Sequence, residues 1–349
     1  MRDLILLPLF ATVIICLFVA QDASAISVVK TIHVGMSPVA VTSSPVNNDT
    51  YIANKGTVSV LNSTNALVST IPVGTLPNDL VFSPSSREIY VSNSGSGTVS
   101  VINRLNTLVS TVTVGSGPQG IAFSPTSHDM YVANHDSNTV SVINSTNTVI
   151  GTINVGSNPI AIAYNPANHD IYVANENSNT VSVINSTNTV IGTINVGTAP
   201  VAITFSPSSH GVYVANENSN NVSVISPANT VVSTITVGSF PVAMVYNPTN
   251  HNIYVANENS NSVSVIRPTN TVNSTVTVGS NPVAITYNPA DHGIFVVNSL
   301  SNNVSVINPA NTVVSTITVG SGPDAIAFNP AKNSTYVTNY GSNTVSVIR

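Results

Sequence analysis

The sequence is poor in several residue types, and each shortage excludes a class of protein. It has 349 residues with no tryptophan, one cysteine (Cys16) and only 6% charged residues. A single cysteine excludes a disulfide framework, so stability must come from packing and backbone hydrogen bonds. The net charge of −5 comes from few ionic groups and offers no basic stripe, which excludes nucleic acid as a partner. No stretch has a helical period of apolar residues, so the fold is expected to be all β.

Residues 1–25 have the composition of a cleavable signal peptide. Arg2 is the positive end, Leu4–Ala20 is the apolar stretch, and Ala23-Ser24-Ala25 is a small-x-small cleavage site. We expect cleavage to leave Ile26 first, without a membrane span, and the protein to be secreted or held at the cell surface. The alternative is an uncleaved membrane anchor, for which the apolar stretch is short.

One unit of about 41 residues repeats along residues 26–349, which are therefore expected to form one domain. Its Val-Gly pair recurs at a constant spacing of 41 residues: Gly74, Gly115, Gly156, Gly197, Gly238, Gly279 and Gly320. Gly35 lies only 39 residues before Gly74. The first unit is shorter because one of its loops is Lys55-Gly56, where a later unit has the four residues Glu176-Asn177-Ser178-Asn179.

Each unit predicts four short strands, a to d. In the unit 157–197 they are Ile160–Tyr164, Ile171–Ala174, Thr180–Asn185 and Thr189–Val196. Strand b is apolar at successive positions, so both of its faces should be covered, whereas strand d mixes apolar and polar residues and suits the rim. A four-stranded unit cannot bury two faces alone, and the units must therefore stack around an axis as a β-propeller.

The two ends of the chain together complete one blade. Residues 28–34 match strand d alone, and residues 324–348 supply strands a, b and c. Joining them removes the open sheet edges of the ring. Strand b occurs eight times, at Tyr51, Tyr90, Tyr131, Tyr172, Tyr213, Tyr254, Phe295 and Tyr336. Eight blades are predicted, since the alternative of seven would leave the terminal fragments unpaired.

The strand b motif carries a family resemblance. It reads Tyr-Val-Ala-Asn in four units and Tyr-Val-Thr-Asn at 336–339, followed by Asn-Thr-Val-Ser-Val-Ile and a Thr-Ile-x-Val-Gly ending. With these motifs the repeat region resembles the YVTN β-propeller repeat family over essentially its whole length. The resemblance implies a surface-layer-type or exported propeller protein. The sequence departs from the commonly seven-bladed members of that family because it has eight units.

Two repeated sets of polar residues resemble metal sites. Histidines recur in the a–b turn, at His128, His169, His210, His251 and His292. Neighbouring blades are at least about 10 Å apart, so one ion cannot bridge them, and we interpret them as turn residues. Acidic residues recur in the b–c loops, at Asp136, Glu176, Glu217 and Glu258. These loops lack the glycine and the final glutamate of a calcium loop. No metal or other cofactor is therefore expected. The asparagine that ends every strand b is expected to bond the backbone of its own turn.

The d–a loops enter the axis, so differences among them indicate where a ligand could bind. Most units place an aliphatic residue after the loop proline, but three do not: Asn78 with Asp79, Gln119, and Asp324. These residues fall in blades 2, 3 and 8 and are predicted to form a polar patch on one side of the channel mouth. The alternative is simple drift in the terminal repeats.

Eight Asn-x-Ser/Thr sequons could carry N-linked glycans if the protein is exported. They are Asn48, Asn62, Asn144, Asn185, Asn221, Asn273, Asn303 and Asn333. Nearly identical blades give no convergence of unlike catalytic groups, which favours a non-catalytic surface or adhesion protein with envelope proteins or glycans as partners. The alternative is an exported lactonase-like or lyase-like propeller enzyme with its site at the axial mouth, where Asp79 and Asp324 would be tested. The oligomeric state is left open.

Overall fold

The computed structural model describes residues 26–349; the predicted signal peptide lies outside the described residues. Residues 26–349 form eight four-stranded antiparallel sheets, arranged as the blades of a propeller. The innermost strands of successive blades contact one another around the axis. The predicted eight-bladed, all-β fold is thereby confirmed over the described range, where the helical structure is a single 3₁₀ turn, Glu217–Ser219.

The strands follow the repeat in chain order. The first half contains β1 (Val28–His33), β2 (Ala40–Ser43), β3 (Thr50–Asn54), β4 (Thr57–Leu61), β5 (Leu67–Pro72), β6 (Pro77–Ser83), β7 (Glu88–Asn93), β8 (Thr98–Ile102), β9 (Leu108–Thr113), β10 (Pro118–Phe123), β11 (Met130–Asn134), β12 (Thr139–Ile143), β13 (Val149–Asn154), β14 (Pro159–Tyr164), β15 (Ile171–Asn175) and β16 (Thr180–Ile184). The second half contains β17 (Val190–Asn195), β18 (Pro200–Ser206), β19 (Gly211–Asn216), β20 (Asn221–Ile225), β21 (Val231–Thr236), β22 (Pro241–Tyr246), β23 (Ile253–Asn257), β24 (Ser262–Ile266), β25 (Val272–Thr277), β26 (Pro282–Asn288), β27 (Gly293–Asn298), β28 (Asn303–Ile307), β29 (Val313–Thr318), β30 (Pro323–Asn329), β31 (Ser334–Asn339) and β32 (Thr344–Ile348).

The ring is closed by the first strand of the chain. Blade 1 starts at β2 and every later blade takes the next four strands, so blade 8 consists of β30, β31, β32 and β1. Strand β1 pairs with β32 in antiparallel register, with Ile32 opposite Val345. Beyond the strands, Ser27 and Arg349 exchange two backbone hydrogen bonds of 2.9 and 3.1 Å. The predicted pairing of the two chain ends is therefore confirmed.

Burial follows the position of a strand within its blade. Every residue of β15 and β16, strands b and c of blade 4, is buried, whereas the outer strand β17 has one fully buried residue, Ile194. This agrees with the apolar runs of strand b and the mixed pattern of strand d. We call the face that carries the b–c and d–a loops the upper face, and the face that carries the a–b and c–d turns the lower face.

A tyrosine in strand b links seven of the eight blade junctions. Its hydroxyl donates to the Oδ1 of an asparagine in the c–d turn of the next blade, over 2.5 to 2.7 Å. The pairs are Tyr51–Asn106, Tyr90–Asn147, Tyr131–Asn188, Tyr172–Asn229, Tyr213–Asn270, Tyr254–Asn311 and Tyr336–Asn65. Blade 8 has no c–d turn, because its strands c and d are the two ends of the chain. The strand b residue that would face this missing turn is Phe295, which needs no partner.

The missing turn leaves a notch in the lower face between blades 7 and 8. Its volume is about 440 Å³, and its lining includes Ile26, Asp291, Lys332 and Arg349. The phenylalanine and the notch have the same cause: strands c and d of blade 8, β32 and β1, are not joined by a turn.

The junction between blades 5 and 6 offers a test of these links. We expect Tyr213→Phe to lower the free energy of unfolding by about 1 kcal/mol, because Asn270 Oδ1 loses its donor. The reverse change, Phe295→Tyr, should cost about 1–3 kcal/mol, because it buries a hydroxyl that has no turn to meet. Denaturation in guanidinium chloride measures both, and a neutral Phe295→Tyr would contradict the assignment.

The asparagine that ends every strand b does not behave as the sequence suggested. Its buried Nδ2 donates to a strand c serine in all eight blades, as from Asn175 to Ser182 Oγ over 3.0 Å. Only Asn54 and Asn93 also donate to backbone carbonyls. The expected bond to the turn backbone is wrong for the other six, because the serine hydroxyl lies within reach across the b–c ladder. The b–c loop is held instead by backbone bonds to the d–a loop of its own blade, as from Glu176 N–H to Asn158 O over 2.9 Å.

Candidate functional site

The upper face is built from loops that hold one another across the blades. Before the proline of each d–a loop the chain adopts a positive φ, as at Asn158 with φ 54°. The backbone N–H of this residue is bound by the last side chain of the preceding b–c loop, as when Asn138 Oδ1 accepts from Asn158 over 2.9 Å. The same clasp joins six blade junctions, with the donors Ser37, Asn158, Ala199, Phe240, Asn281 and Gly322.

The clasp is missing on both sides of blade 2. Blade 1 ends its shortened b–c loop at Gly56, and blade 2 ends its own at Gly97, and a glycine has no side chain to offer. Leu76 therefore takes its positive φ of 51° without this support. In blade 1 the first loop residue, Lys55, donates to Met36 O rather than to the positive-φ residue used in the other blades. The two-residue deletion thus opens the upper face at one place.

A pocket of about 320 Å³ occupies this opening. It is lined by Ser37, Val39, Lys55, Leu76, Pro77, Asn78, Ser94 and Tyr340. The side chains of Tyr340 and Leu76 are 50% and 54% exposed, so an aromatic and an aliphatic surface face solvent together. Lys55 adds a cation, and the amide of Asn78 and the serine hydroxyls add neutral hydrogen-bonding groups. We call this the blade 8–1–2 pocket.

The structure places the four predicted patch residues around this side of the ring but does not join them. Asn78 is exposed and lines the pocket, whereas Gln119 and Asp324 are partly buried on the inner strands of blades 3 and 8. No hydrogen bond links any two of Asn78, Asp79, Gln119 and Asp324. Their arrangement is an arc of separate groups at the channel mouth.

Asp79 acts across a blade junction. Its carboxylate accepts from the backbone N–H of Leu80 over 2.8 Å and from that of Ile121, on the inner strand of blade 3, over 3.1 Å. Part of the side chain faces the channel, yet the strands enclose it so closely that loss of solvation raises its pKa. The clearest role of Asp79 is to accept a hydrogen bond from the Ile121 N–H, which lies on the unpaired inner edge of β10.

Asp324 has no hydrogen-bond partner among the described residues. Burial raises the pKa of its carboxyl from 3.8 to about 6, since no nearby cation compensates the lost solvation. Asp324 is the blade 8 equivalent of Val39, which in blade 1 lines the pocket. A carboxyl of this kind changes its charge near neutral pH.

This carboxyl makes stability depend on pH. Because the folded-state pKa lies above the unfolded value, ionised Asp324 disfavours the folded state above pH 6, and the penalty disappears as the pH falls toward 4. We expect Asp324→Asn to raise the free energy of unfolding by roughly 1–2 kcal/mol at pH 8, with channel water screening part of the effect, and to leave it unchanged at pH 4. An equal change at both pH values would contradict this account.

Four acidic side chains occupy the opposite arc of the upper face. Asp136, Glu176, Glu217 and Glu258 lie in the b–c loops of blades 3 to 6. His135 links two of them, with Nδ1 2.7 Å from Asp136 Oδ1 and Nε2 3.7 Å from Glu176 Oε2. Burial and the charges of Glu176 and Glu258 raise the pKa of Glu217. The two arcs therefore differ in charge: this arc carries four acidic side chains in its loops, whereas the pocket side carries Lys55 together with the partly buried carboxyls of Asp79 and Asp324.

The repeated histidines are turn residues, as predicted. Each of the five has a positive φ between 54° and 64°, and the equivalent Asn48, Arg87 and Asn333 share this conformation. Three of them also meet a strand a tyrosine, as in the 2.6 Å contact between Tyr164 Oη and His169 Nδ1. Over residues 26–349, no three His, Cys, Asp or Glu side chains group closely enough to hold a metal ion.

Sequence reasoning missed Tyr340 and Leu76, the two half-exposed apolar side chains of the pocket. A position-by-position comparison of the b–c loops would have indicated the first, since Tyr340 stands where other blades have Lys, Ser, His or Glu. The shortened loop was visible in the sequence, but the opening it leaves depends on clasps that only the assembled ring shows. Within the described residues there is also no helix with the length and apolar character needed to cross a membrane.

Comparisons with known proteins agree with the fold. The family model described as "Lactonase, 7-bladed beta-propeller" matches residues 107–231 and 154–272, two overlapping stretches that together span less than half of the chain. A search of curated proteins found no matching sequence.

Solved structures share the architecture at low sequence identity. Hydrazine synthase from Kuenenia stuttgartiensis is 22% identical with a TM-score of 0.65, over 79% of this chain and 97% of that chain. Virginiamycin B lyase from Staphylococcus aureus is 13% identical with a TM-score of 0.63, over 91% of this chain and 98% of that chain. Dihydro-heme d1 dehydrogenase NirN is 14% identical with a TM-score of 0.75, over 91% of this chain and 75% of that chain. At these identities the likeness concerns the fold alone, and the protein is a β-propeller.

Proposed function

We propose that the protein is an exported, non-catalytic binding propeller that takes a cell-envelope glycan in the blade 8–1–2 pocket. The observation that carries the proposal is the opening left by the shortened b–c loop of blade 1, the one b–c loop of two residues in the ring. The proposed location is the cell surface or its surroundings, in keeping with the signal peptide predicted for residues 1–25.

The lining of the pocket suits a sugar better than a purely apolar or a purely charged ligand. A half-exposed tyrosine ring, Tyr340, offers a flat apolar face on which a pyranose ring can lie. The hydroxyls of Ser37 and Ser94 and the amide of Asn78 offer donors and acceptors to sugar hydroxyls. Lys55 adds a preference for acidic sugars. Six junction clasps hold the rest of the ring, so the pocket sits on a largely preformed support.

The test is binding to an array of neutral and acidic envelope-type oligosaccharides, followed by calorimetry with the best one. We expect Tyr340→Ala to weaken binding at least about tenfold, as removal of a central tyrosine commonly does. The matched control is Ser299→Ala, the equivalent position in blade 7, which should bind as the wild type does. Absence of any binding sugar, or unchanged binding by Tyr340→Ala, would contradict the proposal.

A second candidate is an exported propeller enzyme, favoured by the raised pKa of Asp324 and by the partial match to the lactonase model. A carboxyl with a pKa of about 6 suits general acid-base work near neutral pH. If Asp324→Asn and Asp79→Asn each leave every activity found in an ester, lactone and lyase substrate screen unchanged, this candidate fails.

A further inference from the structure

The eight sequons are not equivalent in the folded protein, because their side chains have different partners. Three of them share one setting, the c–d turn of blades 1, 3 and 4, where the sequence Asn-Ser-Thr-Asn begins at Asn62, Asn144 and Asn185. In each turn the fourth residue adopts a positive φ of 60° and closes a tight hairpin on the lower face. The second and third residues of each turn are exposed.

The hydrogen bonds of these turns leave one amide atom free. Asn144 Oδ1 accepts from the backbone N–H of Thr146 over 3.1 Å, from Thr146 Oγ1 over 2.8 Å and from the N–H of Thr148 over 3.0 Å. Asn62 and Asn185 have the same three donors at 2.8 to 3.1 Å. The carbonyl oxygen is thus engaged by the sequon's own threonine and by the backbone N–H two residues after it, whereas Nδ2 has no partner among the described residues.

The remaining sequons lack this arrangement. Asn221 and Asn303 are the first residues of β20 and β28, directly after b–c loops, where each Oδ1 accepts from a buried asparagine over 2.8 Å. Asn221 Nδ2 is also engaged with Ser219 O over 3.1 Å. The sequon hydroxyl residues of these sites, Ser223 and Ser305, are buried.

The other three sequons, at Asn48, Asn273 and Asn333, are unsuited to modification for other reasons. The hydroxyl residues of the Asn48 and Asn333 sequons, Thr50 and Thr335, are each only 1% exposed. Asn273 is exposed and lies at the β-bulge of β25, but the next two residues of its sequon, Ser274 and Thr275, pair with Val265 and Ser264 of β24, which keeps that part of the sequon extended.

We propose that Asn62, Asn144 and Asn185 are the N-glycosylation sites of the folded protein. The co-reactant is a sugar activated as a polyprenyl diphosphate. Nδ2 forms a bond to the anomeric carbon while the bond from that carbon to the diphosphate oxygen breaks. One Nδ2 proton passes to a base of the transferase, and polyprenyl diphosphate leaves. The Thr Oγ1 and N–H that hold Oδ1 favour loss of the Nδ2 proton, because they stabilise the negative charge that deprotonation places on the carbonyl oxygen.

The placement divides the molecule into two faces. All three sites project from c–d turns on the lower face, opposite the blade 8–1–2 pocket, so glycans there would leave the upper face uncovered. Export, which the proposed function also assumes, is required for modification in the cell. The accessibility of the three turns depends neither on export nor on sugar binding at Tyr340.

The test uses the folded chain from residue 26, a purified single-subunit oligosaccharyltransferase with a relaxed sequon requirement, and a synthetic polyprenyl-diphosphate disaccharide. Site occupancy is mapped by peptide mass spectrometry over time. We expect modification at Asn62, Asn144 and Asn185 at least tenfold faster than at Asn221 and Asn303. The same chain unfolded in urea that the transferase tolerates, or supplied as tryptic peptides, should lose this preference.

Two kinds of variant separate chemistry from folding. Asn144→Gln removes one site, and Thr146→Ala removes the sequon while keeping the asparagine and its backbone bond; both should abolish modification at residue 144 without affecting residue 185. The natural control is Asn103, in the same turn of blade 2 but followed by Arg-Leu, which should stay unmodified. Failure to modify the three turns in the folded protein, or equal rates at Asn303, would overturn the proposal. Either result would leave the proposed sugar binding untouched, because Tyr340→Ala tests that separately.

Discussion

Removal of residues 26–34 is expected to destabilise the protein more than any single substitution. The deletion takes away β1, exposes Val345, Val347 and Ile348 on β32, and leaves an unpaired sheet edge in blade 8. Burial is worth about 1.5–3 kcal/mol per large apolar side chain, so the loss should reach at least about 5 kcal/mol. We expect a much lower denaturation midpoint and concentration-dependent association, measured by guanidinium denaturation and light scattering.

A rearranged chain provides the control for this deletion. Residues 27–34 can be moved to follow Arg349 through Ser-Thr-Asn, a copy of Ser186-Thr187-Asn188 in the blade 4 turn with Arg349 in the place of Asn185, which restores strand d of blade 8 from the other end. Stability should return to at least the wild-type value, because the pairing of β1 with β32 is kept and the missing turn is supplied. If the truncated chain were as stable as the wild type, closure by β1 would be unimportant and the account would be wrong.

Gly197→Ala is the substitution with the next largest expected effect. A Cβ at this position would lie 2.7 Å from Cβ and Cγ of the buried Asn216 and would also collide with Ser219 Oγ. Asn216 cannot retreat, since its Nδ2 is bound to Ser223 Oγ over 2.9 Å. Overpacking of this kind commonly costs 1–3 kcal/mol, and we expect about 3 kcal/mol here because the contacts are with a fixed side chain.

The matched control, Gly192, lies five residues earlier, on strand β17, which precedes Gly197. A Cβ at Gly192 would meet only Val183 Cγ2, at 4.0 Å, on the exposed rim. Gly192→Ala should therefore be neutral or slightly stabilising, since alanine restricts the unfolded chain. Equal losses in the two variants would mean that the Val-Gly repeat reflects backbone preference rather than contact with the buried asparagine.

Most of the fold could be predicted from the sequence because its elements repeat. The 41-residue spacing located each blade, and the terminal fragments 28–34 and 324–348 indicated how the ring closes. The strand bounds differed by one residue or so, for example Val190–Asn195 against the predicted Thr189–Val196. Strand ends depend on where the ladder bonds stop, and composition alone does not determine that.

The site was less predictable, because its features depend on which blades become neighbours. Asp79 was correctly singled out as unlike its equivalents, but its bond to Ile121 follows from the stagger between two inner strands. The sequence shows that Phe295 replaces the strand b tyrosine of the other blades. The explanation for this replacement is the absence of a c–d turn in the neighbouring blade 8. The pocket beside Tyr340 similarly needs the knowledge that blade 8 is next to blade 1.

We propose that an otherwise regular ring carries its binding site where the b–c loop of blade 1 is short. The most direct measurement replaces Lys55-Gly56 with Glu-Asn-Ser-Asn, the loop of blade 4, and repeats the oligosaccharide binding. We expect the longer loop to clasp Leu76, fill the pocket and abolish binding while the denaturation midpoint stays at or above that of the wild type. Full binding by this folded variant would contradict the account.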